Sequence, residues 1–327
     1  MAKCVTVAVG ARLHLGFLDL NGGLGRRFGS LGLALDAPET ILEIGRAPID
    51  SATGPQAERA ALYARWLAQH LRLPGGHSIV IRAAIPAHAG LGSGTQLALA
   101  VAAALRRLHG LAPDTEADAM LLDRAARSGL GTGLFMHGGL ALDGGRGEDD
   151  RPAPIIARLS IPEDWHIFLI LDPGREGVHG VEEVEAFKRL PEFPAALTGH
   201  LCRLALMQAL PAVAEADLSA FGRAITEIQR HVGDYFGAVQ GGRFASPGVA
   251  AVLEALAANG VEGYGQSSWG PTGFAFASSR AEARRLHDIA QPIATVGGLQ
   301  LQIVKGRNNG AAIGETATVM KRGGRRG

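Results

Sequence analysis

The spacing of apolar positions along the first half of the chain follows two patterns, one with a period of two residues and one with a period of three to four. The run CVTVAVGARLHLGFLDL, residues 4–20, is rich in β-branched residues with a period of two, and HSIVIRAAIP, residues 77–86, behaves alike. Both patterns predict strands. Residues 56–72 and 93–109 instead space their apolar positions three to four apart, which predicts two helices.

A third helix is predicted at 114–128, with Asp114 as its N-cap. The glycine-dense stretch 128–145 predicts a turn that leads into a strand, and the polar stretch 144–154 predicts an exposed loop or a hinge. The second half mixes both patterns again. Its predicted elements are the strand WHIFLILD, helices at 179–190, 195–215, 217–236, 247–259 and 280–290, and a strand at 299–304. We therefore expect an α+β protein of two lobes, residues 1–150 and 151–327.

Composition narrows the class of partner. The 327 residues carry a formal net charge of +1 and only 5% aromatic residues, which argues against nucleic-acid binding. The two cysteines cannot form a disulfide framework, so a reducing cytoplasm is the expected location. The sequence shows neither a signal-peptide pattern nor an apolar run of about 18 residues, so no membrane partner is expected.

The segment IPAHAGLGSGTQLALAVAAAL, residues 85–105, places a glycine-rich turn between a strand and a helix. It lacks the lysine of a Walker A loop, and its glycines do not fit the dinucleotide fingerprint. Small residues allow backbone N–H groups to face an anion at the positive end of the helix. The predicted phosphate- or pyrophosphate-binding residues are Gly90, Leu91, Gly92, Ser93, Gly94 and Thr95. A glycine turn that only allows tight packing is the alternative.

Pro86 followed by GLGSGT resembles the P-x-x-x-G-L-G-S-S-A-A phosphate loop of the GHMP kinase superfamily. GARLHLGFLDLNGGLGRRFGSLGLAL lies where that superfamily has its substrate motif, and YGQSSWGPTGFAF where it has its carboxy-terminal glycine-rich motif. The resemblance implies a GHMP-kinase fold, with an N-terminal ribosomal-protein-S5-like lobe and a C-terminal ferredoxin-like lobe. By analogy it also implies a homodimer.

Three stretches resemble one branch of this superfamily, the β-ribofuranosylaminobenzene 5′-phosphate synthases: RLHLGFLDLNGGLGR, RSGLGTGLFMHGG and QSSWGPTGF. The second, residues 127–139, contains no carboxylate where many GHMP kinases have an aspartate. The resemblance implies that phosphoribosyl pyrophosphate and 4-aminobenzoate or 4-hydroxybenzoate combine, releasing CO₂ and pyrophosphate. The product would be a C-riboside 5′-phosphate for tetrahydromethanopterin biosynthesis. An ATP-dependent small-molecule kinase and a metabolite sensor are the alternatives.

This reaction needs cations for the leaving pyrophosphate and a site for an aromatic acid. The candidate catalytic residues are Arg12, His14, Asp19 and Arg175, and the candidate phosphate clamp is Arg26 and Arg27. The candidate aromatic-acid residues are Ser267, Ser268, Trp269 and His179. For each residue a purely structural role is the alternative to a ligand contact: a salt bridge, a histidine hydrogen-bonded within the protein, a turn cap, a solvated loop or a core tryptophan. No metal-ligand spacing is present, so Mg²⁺ is expected to arrive with the pyrophosphate.

Overall fold

The computed structural model describes residues 4–124, 127–148, 151–178 and 180–316. Its strands form one seven-stranded and one four-stranded sheet. The strands are β1 (Cys4–Asp19), β2 (Phe28–Ala47), β3 (Ser51–Thr53), β4 (Gly76–Ala83), β5 (Leu140–Asp143), β6 (Ile155–Leu159), β7 (His166–Leu171), β8 (Tyr264–Gln266), β9 (Gly273–Ala277), β10 (Gln300–Lys305) and β11 (Ala312–Thr316).

Helices cover both sheets, and they follow the predicted periodicity in most of the chain. They are α1 (Ala57–His70), α2 (Ser93–Leu108), α3 (Thr115–Leu121), α4 (Leu130–His137), α5 (Gly180–Arg189), α6 (Ala195–Leu204), α7 (Leu210–Ala214), α8 (Leu218–Gln240), α9 (Pro247–Ala258) and α10 (Arg280–Gly297). A π-helical turn, Ala205–Ala209, joins α6 to α7.

The first sheet has the order β11-β1-β2-β4-β3, with β5 on β2 and β6 on β5. The pairing of β1 with β2 shifts register between Gly10 and Arg12 and again between His14 and Gly16. Such bulges re-aim side chains out of the regular alternation. Arg12 and His14 therefore lie on a short segment between two irregularities, in the middle of an otherwise apolar strand.

The second sheet has the order β10-β7-β9-β8. Helices α9 and α10 pack on one face of this sheet through a buried apolar cluster. Helix α8 contacts both β8 and β1, so it connects the two sheets. This combination of helices and largely antiparallel sheets confirms the predicted α+β class. The division after residue 150 stays a prediction, and β6 and β11 lie beyond it although both pair into the first sheet.

Two local predictions were wrong. The stretch 128–145 was predicted as a turn leading into a strand; β5 confirms the strand, but the predicted turn contains helix α4, because Gly131 and Gly133 allow close packing on Thr95 and Ile155. Tertiary packing here overrides the low helix propensity of glycine. The helix predicted at 114–128 ends at Leu121, although Asp114 caps its start as expected, accepting a hydrogen bond from the Ala117 amide.

Candidate active site

A cavity of about 720 Å³ lies where the three glycine-rich segments meet. That volume is within the usual range for small-molecule sites. Its walls come from β1, from the turn before α2, from α5 and from the turn that follows β8. The segments that resemble the GHMP motifs thus surround one cavity.

Ser267 holds these three segments together. Its backbone and side chain are completely buried. The Ser267 hydroxyl donates to the Gly90 carbonyl at 2.8 Å and accepts from the His14 amide at 3.0 Å. The Arg12 amide also donates to the Leu91 carbonyl at 3.0 Å. Ser267 was predicted to bind the aromatic acid, but both functions of its hydroxyl are used within the protein, so it positions β1 against the loop.

The loop before α2 has the geometry of an anion site. Gly90 and Gly92 both adopt a φ of +75°, a conformation that favours glycine. Gly92 is the residue before the first turn of α2, and Ser93, Gly94 and Thr95 form that turn and line the cavity. The first amides of a 16-residue helix therefore face the cavity, where they can donate to an anion. Leu91 has only 1% of its surface exposed and does not line the cavity.

Four arginines line the cavity: Arg12, Arg59, Arg124 and Arg127. Arg59 and Arg124 both lie over the ring of Tyr63, with guanidinium carbons 5.9 and 5.5 Å from its centroid. A Cβ placed on Gly94 would meet both guanidinium groups within 3.5 Å, so these two cations lie beside the helix terminus.

The side chain of Arg12 packs against Gly92, the residue before the first turn of α2. Its Nη1 is buried and has no hydrogen-bond partner, and the same is true of His14 Nε2. Burial, more than the neighbouring charges of Glu183 and Asp143, sets the pKa of Arg12, which it lowers to about 10. Arg12 is thus a cation at neutral pH, and a buried guanidinium with an unpartnered Nη1 favours an anionic ligand.

His14 is neutral under the same conditions. Burial and then the charge of Arg12 hold its pKa well below the ordinary value. Arg12 and His14 both line the cavity, since residues two apart on a strand point to the same face. A neutral imidazole with a free nitrogen can accept a proton or a hydrogen bond.

Aromatic side chains form one wall. Trp269 lines the cavity and stacks on Phe236 with centroids 4.0 Å apart, while Phe17 lies 4.3 Å from His14. Trp269 has 2% of its surface exposed, and its Nε1 is buried without a partner. The ring is therefore both part of the core and part of the site. Ser268, with a φ of +56°, also lines this wall.

Two carboxylates line the cavity and a third lies behind it. Glu183 pairs with Arg127 at 2.6 Å, and Asp123 lies beside Arg124 in the sequence. Asp143 is buried, and it accepts hydrogen bonds from Ser30, Ser128 and two amides. Burial raises the pKa of Asp143, although these hydrogen bonds oppose the shift. Its carboxylate organises the turn before α4 and is not offered to a ligand.

The structure does not bring four predicted residues to the cavity. Asp19 accepts hydrogen bonds from the Asn21 and Gly22 amides, so it caps a turn. Arg26 donates to the carbonyls of residues 144 and 145, and Arg27 to that of residue 20, which ties their loop to its neighbours. Arg175 is about half exposed and lies 3.8 Å from Asp172. These local partners explain why none of the four faces the cavity. His179 lies outside the described residues.

Sequence reasoning missed Arg59, Arg124 and Arg127. Arg59 lies on the polar side of a predicted helix, where a solvated position was the ordinary expectation. Its spacing of four residues from Tyr63 was the available signal, because such pairs meet on one helix face. The other two precede the glycine-dense stretch in DRAARSG, a cluster of charge that the predicted helix concealed.

Comparison with known proteins defines the class. Residues 58–139 match the family profile of the GHMP kinases N terminal domain, and residues 209–291 that of the GHMP kinases C terminal domain. Homoserine kinase from Cytophaga hutchinsonii aligns with a TM-score of 0.68 at 17% identity, covering 96% of this chain and 98% of that one. Mevalonate diphosphate decarboxylase from Staphylococcus aureus aligns with a TM-score of 0.68 at 15% identity, covering 96% and 99%. The protein has the GHMP kinase fold, as predicted.

Three relatives define the family more narrowly. Beta-ribofuranosylphenol 5′-phosphate synthase from Archaeoglobus fulgidus is 37% identical over 233 residues, covering 67% of this chain and 73% of that protein. The protein of the same name from Methanothermobacter thermautotrophicus is 30% identical, covering 92% of this chain and 96% of that protein. The one from Methanocaldococcus jannaschii is 31% identical, covering 93% of this chain and 98% of that protein. The chain belongs to the beta-ribofuranosylphenol 5′-phosphate synthase family, which confirms the resemblance seen in the motifs.

No helix within the described residues is long and apolar enough to cross a bilayer.

Proposed function

We propose that this chain joins C1 of phosphoribosyl pyrophosphate to the ring of 4-hydroxybenzoate or 4-aminobenzoate. The bond from C1 to the diphosphate oxygen breaks, and its electron pair leaves with pyrophosphate. The ring carbon that carries the carboxylate forms the new bond to C1. The electron pair of the carboxyl carbon–ring bond then restores the aromatic ring as CO₂ leaves. The relatives' name specifies a β-ribofuranosylphenol 5′-phosphate, which is the product of this step with the hydroxy acid.

The observation that carries the proposal is the set of guanidinium groups around the glycine loop. Arg12 lies against Gly92, and Arg59 and Arg124 lie against Gly94, at one helix N-terminus. A leaving diphosphate develops charge as C1–O breaks, and donors fixed in advance stabilise that charge. Three cations plus the first amides of α2 suit a diphosphate leaving group.

The aromatic wall and His14 suit the second substrate. Phe17 and Trp269 line the cavity beside His14 and give it an apolar wall against which a benzoate ring can pack. The neutral His14 Nε2 can accept a hydrogen bond, or transiently the proton, from a para hydroxyl or amino group while that group donates electrons to the ring. The apolar surroundings also keep water from the cationic C1.

The oxygen donors of the cavity fit Mg²⁺. Ser93, Thr95 and Asp123 line the cavity, and their side chains carry the hard oxygen donors that Mg²⁺ prefers. When bound there with the substrate, Mg²⁺ would neutralise charge on the diphosphate. These three residues are the ones that we propose hold it.

An ATP-dependent kinase is the alternative, and the structure offers it less support. Residues 127–139 contain no carboxylate. Asp143, just beyond them, is buried, and both of its carboxylate oxygens accept hydrogen bonds within the protein. A base is not indispensable for phosphoryl transfer. The family of the close relatives nevertheless favours the synthase.

Product analysis tests the proposal. The protein is incubated with phosphoribosyl pyrophosphate, Mg²⁺ and each benzoate, and the product is examined by NMR and mass spectrometry. We expect an aryl C-riboside 5′-phosphate whose ring has lost its carboxylate. An N-riboside or O-riboside that keeps the carboxylate would refute the decarboxylating step. Phosphorylation of a small alcohol by ATP, with phosphoribosyl pyrophosphate left intact, would restore the kinase alternative.

Two accompanying proposals concern the setting of the enzyme. We propose a homodimer, by analogy with the superfamily, and a cytoplasmic location. Cys4 and Cys202 are both free thiols, which is consistent with a reducing compartment. Light scattering and cell fractionation test these two points separately.

A further inference from the structure

A second cluster of chemically active side chains lies away from the cavity, on the outer surface of α6 and α8. Within the described ranges, one group of three metal-ligating side chains brings its ligand atoms within 4.8 Å of one another: His200, Glu227 and His231. We propose that it binds a divalent transition metal of the Zn²⁺ class and fastens α6 to α8.

The distances suit one ion. His200 Nε2 lies 2.7 Å from Glu227 Oε1, and His231 Nε2 lies 3.9 Å from the same oxygen. Two ligands of a tetrahedral ion bound at about 2.0 Å are about 3.3 Å apart, which falls between these two separations. Small rotations of the side chains therefore place all three atoms around one centre.

The local sequence explains the convergence. Glu227 and His231 are four residues apart on α8, so they share one face of the helix. His200 reaches them from α6, and its ring lies edge-on to that of His231 with centroids 5.8 Å apart. All three side chains are 24–40% exposed, so an ion can enter from solvent.

Arg230 contacts two of the three proposed ligands. Its Nη2 donates to His231 Nε2 at 2.9 Å, so that nitrogen presents a lone pair rather than a proton. The same guanidinium lies 4.0 Å from Glu227. The guanidinium therefore competes with a metal for these two ligand atoms, and a bound ion must displace it.

The ligand set selects the class of metal. Two imidazoles and one carboxylate suit Zn²⁺ and its neighbours among the transition metals, whereas Mg²⁺ and Ca²⁺ prefer oxygen ligands. Three protein ligands leave one position for water on an exposed surface. The cluster is therefore distinct in chemistry from the oxygen donors of the cavity.

The expected role is structural. Between Glu227 and His231, Gln229 points inward, donating to the Leu15 carbonyl at 2.8 Å and accepting from the Gln266 amide at 2.8 Å. The outer face of α8 would hold the metal, while its inner face holds two strands beside the cavity. An ion that ties α6 to α8 stabilises this support without touching substrate.

Calorimetry with Zn²⁺ tests the proposal on untagged protein, with Mg²⁺ held constant. We expect one ion per chain and a melting temperature that rises by about 4 °C at a hundredfold excess over Kd. Co²⁺ in place of Zn²⁺ should give the intense visible absorption of tetrahedral coordination. The variants His200→Gln and His231→Gln should each weaken binding by about 100-fold or more. His70→Gln, at an exposed position in α1, is the matched control and should bind like the natural chain.

Arg230→Ala is the most discriminating variant, because it removes the guanidinium that competes with the metal for its ligands. We expect it to tighten Zn²⁺ binding by about fivefold, which is the usual effect of releasing one hydrogen bond. All ligand variants should keep kcat within about twofold at low temperature, since the site is structural. Equal affinity in the natural chain and the two histidine variants would overturn the proposal, as would absence of stoichiometric binding or loosened binding in Arg230→Ala.

Discussion

The substitution Gly92→Ala tests how the loop and Arg12 cooperate. A Cβ on Gly92 would lie 2.5 Å from Cγ and 3.0 Å from Nε of Arg12. The arginine stem must therefore move. Gly92 also has a φ of +75°, where an alanine costs about 1–2 kcal/mol. The variant thus combines backbone strain with displacement of one guanidinium.

A matched control separates the two effects. Gly110, at the opposite end of α2, has a φ of +71°, and a Cβ there meets nothing within 4 Å. Gly110→Ala carries the same strain without the collision. Gly110→Ala should therefore lose about 1–2 kcal/mol of unfolding free energy, measured by urea denaturation, and Gly92→Ala at least as much, because the arginine stem must also move.

Activity should distinguish the pair. A charge-assisted hydrogen bond to a substrate phosphate contributes about 1.5–3 kcal/mol, so its loss lowers kcat/KM for phosphoribosyl pyrophosphate by about 10- to 150-fold. We expect this decrease in Gly92→Ala and a change within about twofold in Gly110→Ala. If the two variants have equal kcat/KM, Arg12 does not bind a substrate phosphate from its position against Gly92.

Three further predictions address other parts of the site. Arg59→Ala should lower kcat/KM for phosphoribosyl pyrophosphate by about 10- to 150-fold, whereas Arg175→Ala, outside the cavity, should change it less than about twofold in the same steady-state assay. Because burial lowers the pKa of His14, its contribution to stability is present above about pH 6.5 and lost as the pH falls; His14→Gln should flatten that loss in urea titrations from about pH 7 to about pH 5. Phe236→Ala should destabilise the fold by about 3–5 kcal/mol and red-shift the fluorescence of Trp269, on which it stacks; unchanged emission would contradict that packing.

The sequence predicted those parts of the site that depend on local chemistry. The glycine turn before α2 was predictable because few arrangements satisfy the N–H groups of a helix start after a strand. Arg12 and His14 were predictable because charged residues inside an apolar strand need a special environment. The alternation of β1 then placed both on one side, as observed.

The remaining residues depended on long-range packing. Arg59 and Arg124 come from separate segments of the chain, and both lie over the ring of Tyr63. Arg26 and Arg27 illustrate the reverse case, since a charged glycine loop suggested a phosphate clamp but its cations bond to nearby carbonyls. Local patterns do not reveal which partner a flexible cation finds.

Release of CO₂ from carboxyl-labelled 4-hydroxybenzoate and 4-aminobenzoate is the most direct test of the proposed reaction. We predict release that requires the benzoate, phosphoribosyl pyrophosphate and Mg²⁺ together, with one pyrophosphate formed for each CO₂, and that falls sharply in Arg12→Ala. This result would show that the loop at Gly90–Thr95 serves a leaving group. An absence of CO₂ release, accompanied by ATP-dependent phosphorylation of a small alcohol, would contradict the account.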